Sequence, residues 1–299
     1  MRDYLISFLD EFEYPNDSKP FIINAYDSMM KNKDISQLIS TSYEEYVNNT
    51  LDWDKAIEKV TELTENTDVH NFTAHLVFFL CMTKHARVLY EQHGFDYSLF
   101  KDTFTDFNYK LIECHNRNDV WGTCCYTAWY TGFFTLERFA LGRLQYEITA
   151  FRGEEPYTAH GVTLNPQDPC LIIHIPSSGP LTPESVEESF ALAHNFYKGT
   201  FPSEYTPIMC SSWLMFPEHR NMLDENSNII KFMNRFDMLY TEYYDNYDTP
   251  FTILYDRPYN GDVNSYSPDN SFKKGYIELV KQNKPCGYSC GITLYKPQK

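Results

Sequence analysis

The stretch "CLIIHIPSSGPLTPESVEESFALAHNFY", Cys170 to Tyr197, decides the fold. Its first part is a continuous apolar run, as expected of a strand buried on both faces. A small-residue turn follows, and then a helix. Thr182 is a good N-cap, Pro183 suits the first helical position, and Val186, Phe190, Ala193 and Tyr197 form one apolar stripe. Strand, tight turn and helix start fall together, which is the arrangement that can offer free helix N–H groups to an anion. A well-capped turn with no ligand explains the same residues.

Upstream, "GRLQYEIT", Gly142 to Thr149, alternates: Leu144, Tyr146 and Ile148 point one way, and Arg143, Gln145 and Glu147 the other. Before it the period is helical. "YLISFLDEF" gathers Tyr4, Leu5, Phe8, Leu9 and Phe12 on one face, and "VHNFTAHLVFFLCMTKHARVLYEQHG" is apolar almost all round and ends in Gly94, a natural C-cap. Helical stretches are expected on to about residue 140. The boundary therefore falls near Gly142, dividing a helical domain, 1–139, from a mixed α/β domain, 140–299. The second half reads β–loop–β–α–β–α–β–α–β. "TPIMCSSWLMF" and "PFTILYD" are expected strands, "PEHRNMLDENSNIIKFMNRFDMLY" is expected to be mostly helix, and "YTEYYDNYD" a solvated acidic loop. The fold class is α+β.

The chain of 299 residues, 42% hydrophobic, is long enough for two cores. Its net charge of −16 opposes nucleic acid and anionic lipid as partners. The N-terminus carries acids within its apolar stretch and does not read as a signal peptide, and no window is apolar enough for a membrane span. Eight scattered cysteines without a C-x-x-C pair read as reduced thiols of a cytoplasmic protein, with no metal site. Dinucleotide and NTP phosphate-loop motifs are absent.

The words "GRLQYEI", "HIPSSGPL", "CSSWLM" and "NSNIIKFMNRF", in that order, resemble a bacterial acyltransferase-domain family. Its members join a helical N-acyltransferase N-terminal domain to a GNAT-like C-terminal domain. The resemblance implies an N-acyltransferase with acyl-CoA or acetyl-CoA as donor substrate and a small-molecule amine as acceptor. It implies that "CLIIHIP" and "IMCSSWLM" are neighbouring splayed strands, and that backbone amides near Ser177, Ser178 and Gly179 hold the donor. Ser211, Ser212 and Trp213 would then line the donor on the second strand, polarising the thioester carbonyl with backbone N–H groups. Glu147 or His174 would accept the amine proton, with Arg143 and Gln145 orienting the acceptor. The loop departs from the usual GNAT pattern. It has one glycine, prolines at 180 and 183 that offer no N–H, and no Lys or Arg. A ligand-binding or regulatory module that kept the fold without the chemistry is the alternative, as is a weaker pairing of Cys210 with His174 as nucleophile and base.

Overall fold

The computed structural model describes residues 1–125 and 127–297. The chain divides into two compact units, Met1–Phe139 and Ala140–Lys299, taken here in turn.

Among its described residues the first unit has eight helices: α1 (Arg2–Glu11), α2 (Ser18–Lys31), α3 (Lys33–Val47), α4 (Trp53–Thr64), α5 (Asn71–Gln92), α6 (Tyr97–Phe104), α7 (Asp106–Asn118) and α8 (Thr127–Phe134). Local chemistry sets their ends. Asn32 accepts from the N–H groups of Asp34 and Ile35, and Asp52 from that of Lys55. Gly94, at φ +74°, lets the chain leave α5 through a left-handed residue. The all-round apolar α5 is the central helix: Leu76, Val77, Phe78, Phe79, Leu80 and Cys81 are at most 1% exposed. Around Phe79 pack the rings of Trp53, Phe107, Tyr130 and Phe134. Two buried tyrosines satisfy orphan carbonyls at the end of α8: Tyr90 donates to Phe133 O and Tyr46 to Phe134 O. The expected helix over 119–140 is shorter than the sequence suggests. Only α8 forms, and the chain is already extended in β1 (Arg138–Leu141).

The second unit is built on a six-stranded sheet of order β1-β2-β5-β6-β8-β7. Its strands are β2 (Leu144–Ala150), β5 (Pro169–His174), β6 (Thr206–Ser212), β7 (Asp237–Tyr243) and β8 (Gly287–Tyr295), and β3 (Tyr157–Ala159) and β4 (Val162–Leu164) form a separate hairpin. β5 and β6 are parallel, while β2/β5, β6/β8 and β7/β8 are antiparallel. Parallel neighbours need a crossover, and α9 (Pro183–Phe196) supplies it. The strand, cap and helix expected over 170–197 are all present: Thr182 caps α9 by accepting from Ser185 N–H, with Pro183 in the first turn. On one sheet face Cys170, Ile172, Met209, Cys290, Ile292 and Leu294 form a core with Phe151 and the β3–β4 hairpin.

Three expected elements differ. "PFTILYD" lies in a helix, α12 (Asp248–Tyr255). A short apolar run does not reveal its period, and the tertiary environment chooses. Phe251 is fully buried with Leu254 and Tyr255 packed beside it, while Ile253 is 40% exposed, which is helical spacing. "FDMLY" is not helical but opens β7, and residues 240–243 of the expected acidic loop continue that strand. β7 is an edge strand, and its charges Asp237 and Glu242 suit an unpaired edge. The expected strand through Trp213 stops at Ser212, where a 3-10 turn (Trp213–Met215) begins and Ser212 Oγ accepts from Leu214 N–H.

His219, in α10 (His219–Met222), is fully buried between this turn and α13 (Ser271–Lys281). Its Nδ1 faces Leu214 O at 3.1 Å and its Nε2 the Tyr276 hydroxyl at 2.8 Å. Burial pushes its pKa down to about 4. The unfolded chain protonates this ring near pH 6.5. Between those values the unfolded state holds the extra proton, so stability falls as pH falls through that window. Urea unfolding from pH 7 to pH 4.5 should show this group removing up to about 3 kcal/mol. His219→Gln should be less stable at pH 7 and should flatten that slope; an unchanged slope would exclude His219 as its source.

Candidate active site

The β2–β5 ladder sets His174 opposite Gln145 and Ile172 opposite Glu147. Directly opposed residues share a face, and alternate residues return to it. Gln145, Glu147 and His174 therefore project from the same side. His174 Nε2 lies 3.5 Å from Glu147 Oε1, with the side chains 20% and 24% exposed. Gln145 is 1% exposed beside them. The two residues expected as alternative proton acceptors, Glu147 and His174, lie beside each other.

The β5–β6 ladder is short. It pairs Leu171, Ile172 and Ile173 with Ile208, Met209 and Cys210. β6 then runs on through Ser211 and Ser212, where its pairing is with Cys290 and Ser289 of β8. The β5–β6 ladder ends at Ile173 and Cys210, with the half-buried His174 and Ser211 next along each strand. Ser211, two residues beyond Met209, is on the Glu147–His174 face. Cys210 is on the other, fully buried, and burial pushes its thiol pKa up. The Cys210–His174 pairing is therefore excluded: the two side chains leave opposite faces, and the thiol is held protonated.

Two further expectations change. Trp213 does not continue the strand. It stacks on Phe272, with ring centroids 5.1 Å apart, and packs in the cluster around Tyr276 and Phe251. Arg143 lies just outside the strand that carries Gln145 and Glu147. It sits with Gly142 in the two-residue connection between β1 and β2, where Gly142 takes φ +70°. From that tip its guanidinium reaches the loop after β5. Nη1 donates to Pro176 O (2.9 Å), Nη2 to Gly179 O (2.6 Å) and Nε to Pro180 O (3.2 Å). Ser177, Ser178 and Gly179 lie within this clasped loop, all exposed, with Gly179 at φ +117°.

The sequence reading missed two residues that hold this region. Arg235 donates to Pro183 O (3.0 Å) at the start of α9 and to Glu187 (2.7 Å). Burial alone would raise the Glu187 carboxyl, but Arg235 and Tyr295 together hold it below its ordinary range. Ser189, fully buried on α9, donates to Leu141 O, accepts from Leu144 N–H (3.2 Å) and meets the Tyr146 hydroxyl at 2.8 Å. It ties the crossover helix to the hairpin that carries Arg143. Neither had a local signal: an arginine beyond a helix and a serine inside an apolar stripe look ordinary in sequence. A pocket of about 400 Å³ between α10 and α13, lined among others by Glu218, Lys274 and Glu278, includes none of these residues.

Ser189→Ala would leave the Leu144 N–H and the Leu141 carbonyl buried without this partner. It should cost about 1–3 kcal/mol of stability, measured by urea unfolding. A loss below about 0.5 kcal/mol would show that the hairpin and helix do not depend on it.

Residues 3–136 match the N-acyltransferase N-terminal domain, and residues 139–293 the GNAT-like C-terminal domain. No curated protein matches the chain. Among solved structures, an acyltransferase in complex with decanoyl-CoA is 19% identical, with a TM-score of 0.73 over 96% of this chain and 86% of that one. An acyltransferase mutant with octanoyl-CoA gives the same values, and an acyltransferase with decanoyl-CoA and teicoplanin is 18% identical, with a TM-score of 0.70 over the same shares. A helical unit followed by a mixed sheet agrees with those two domain patterns, and the chain belongs to the family that joins the N-acyltransferase N-terminal domain to the GNAT-like C-terminal domain.

Proposed function

We propose that this protein is an acyl-CoA-dependent N-acyltransferase whose acceptor is a small-molecule amine. The observation that carries the reading is the end of the parallel β5–β6 ladder at Ile173 and Cys210, beside a clasped loop and a capped helix, in a chain of this family. Where a parallel ladder ends, the backbone groups beyond it are released from the ladder and can bind an extended thioester arm.

In this reading the 176–182 loop and the start of α9 receive the donor's pyrophosphate through backbone N–H groups. The strand edge at Ser211 faces the thioester carbonyl and supplies N–H donation to the oxygen as charge develops there. His174, at the end of β5, accepts a proton from the amine as its nitrogen bonds to the carbonyl carbon. Glu147, 3.5 Å from Nε2, stabilises the imidazolium that forms. The C–S bond then breaks, and the thiolate leaves and is protonated. Gln145, buried opposite His174, orients that ring. The overall charge of −16 favours a cationic acceptor.

The test has two arms. Saturation with a medium-chain acyl-CoA at a hundredfold excess over its dissociation constant should stabilise the folded protein by about 2.7 kcal/mol, read as a rise in Tm. With an amine acceptor found by screening, His174→Ala should lower kcat by about 10²–10⁴-fold, and Glu147→Gln should lower it less. A folded protein that shows no shift at millimolar acyl-CoA would sink the assignment. Donor binding with full activity in His174→Ala would remove His174 as the base.

A further inference from the structure

We infer that Arg143 is the positioning residue of the donor pyrophosphate site, supplying from another strand the cation and the loop shape that the 176–182 segment lacks in sequence. The inference rests on the donor reading above and extends it to a residue outside the loop. Three observations support it. The first is the clasp itself: one guanidinium takes the carbonyls of Pro176, Gly179 and Pro180, so these three oxygens are turned towards Arg143. The second is peptide geometry. The chain has no cis peptide bond among its described residues, and in a trans peptide the N–H points opposite to the preceding C=O. Turning Pro176 O and Pro180 O onto Arg143 therefore turns the N–H groups of Ser177 and Leu181 to the opposite side. The peptide after Gly179 ends in Pro180, so that carbonyl is anchored without spending a donor. The third is placement. Arg143 stands at a two-residue hairpin tip fixed by Gly142 and by Ser189, so its reach to the loop is built into the fold.

The clasp does two things for an anion. It draws aside carbonyl oxygens that would repel phosphate, and it places a positive charge directly behind the outward N–H groups. Arginine suits this because its rigid fork donates in several directions while keeping its charge. Arg235 does not fill the same place. It holds Glu187 and Pro183 O and lies over the Phe190 ring, whereas Arg143 takes the carbonyls of Pro176, Gly179 and Pro180.

The experiment compares wild type, Arg143→Ala and Arg143→Lys in binding octanoyl-CoA and octanoyl-pantetheine by calorimetry. The second ligand carries the same thioester arm without pyrophosphate or nucleotide. Arg143→Ala should weaken octanoyl-CoA about tenfold, or about 1.4 kcal/mol, and leave octanoyl-pantetheine within about twofold. Its octanoyl-CoA affinity should also depend less on salt than that of wild type. Arg143→Lys keeps the charge but cannot hold three carbonyls at once; it should weaken octanoyl-CoA less than the alanine variant and serves as the readout if that variant does not fold. Equal losses for both ligands would make Arg143 a general structural residue and overturn the inference, as would unchanged octanoyl-CoA binding in both variants. Wild type that binds octanoyl-pantetheine but gains nothing from the CoA portion would overturn this inference alone. Wild type that binds neither ligand would overturn the donor reading with it.

Discussion

Two adjacent strands that run parallel cannot be joined by a turn, and in the C-terminal unit that constraint places everything else. β5 and β6 need a crossover, α9 is that crossover, and its first turn is delivered to the carboxyl end of β5. The same end of β5 carries His174, and β2, paired antiparallel, brings Gln145 and Glu147 beside it. The parallel ladder holds for only three residue pairs and ends where polar residues begin. One topological requirement thus sets a helix N-terminus, an imidazole–carboxylate pair and the end of the parallel ladder near each other.

The charge at the loop is a tertiary product. Segment 176–182 has no basic residue of its own. The fold brings Arg143 from a hairpin tip to its carbonyls and Arg235 from beyond another helix to Pro183 and Glu187. Ser189 links the helix to that hairpin through three hydrogen bonds at a fully buried site. The polar framework around the loop is therefore shared among segments more than thirty residues apart. Motifs confined to one stretch of chain cannot register it.

Where sequence reading failed, the cause was local ambiguity. The run over 250–256 contains few enough apolar residues to satisfy either period, and the burial of Phe251 with Leu254 and Tyr255 chose the helix. Trp213 looked like the next inward residue of a strand, but Ser212 caps a 3-10 turn and sends the ring against Phe272. Tyr240 and Glu242 looked like a solvated loop because an edge strand with one partner needs no strong alternation. In the first unit the long α5 was legible because its apolar character persists through twenty-two residues and only a central helix is buried all round.

What the sequence determined by itself was everything that depends on near neighbours. The caps of α9, the alternation of Leu144 to Thr149 that puts Gln145 and Glu147 on one face, the buried run of β5 and the change of period near Gly142 all follow from residues within a few positions of one another. What only the tertiary structure decided was which separated groups meet: His174 with Glu147 through strand register, and Arg143 with the 176–180 carbonyls through a hairpin tip. Local propensities act over a turn or a strand length, whereas these contacts depend on which strand lies beside which, and that is settled by the packing of the whole sheet.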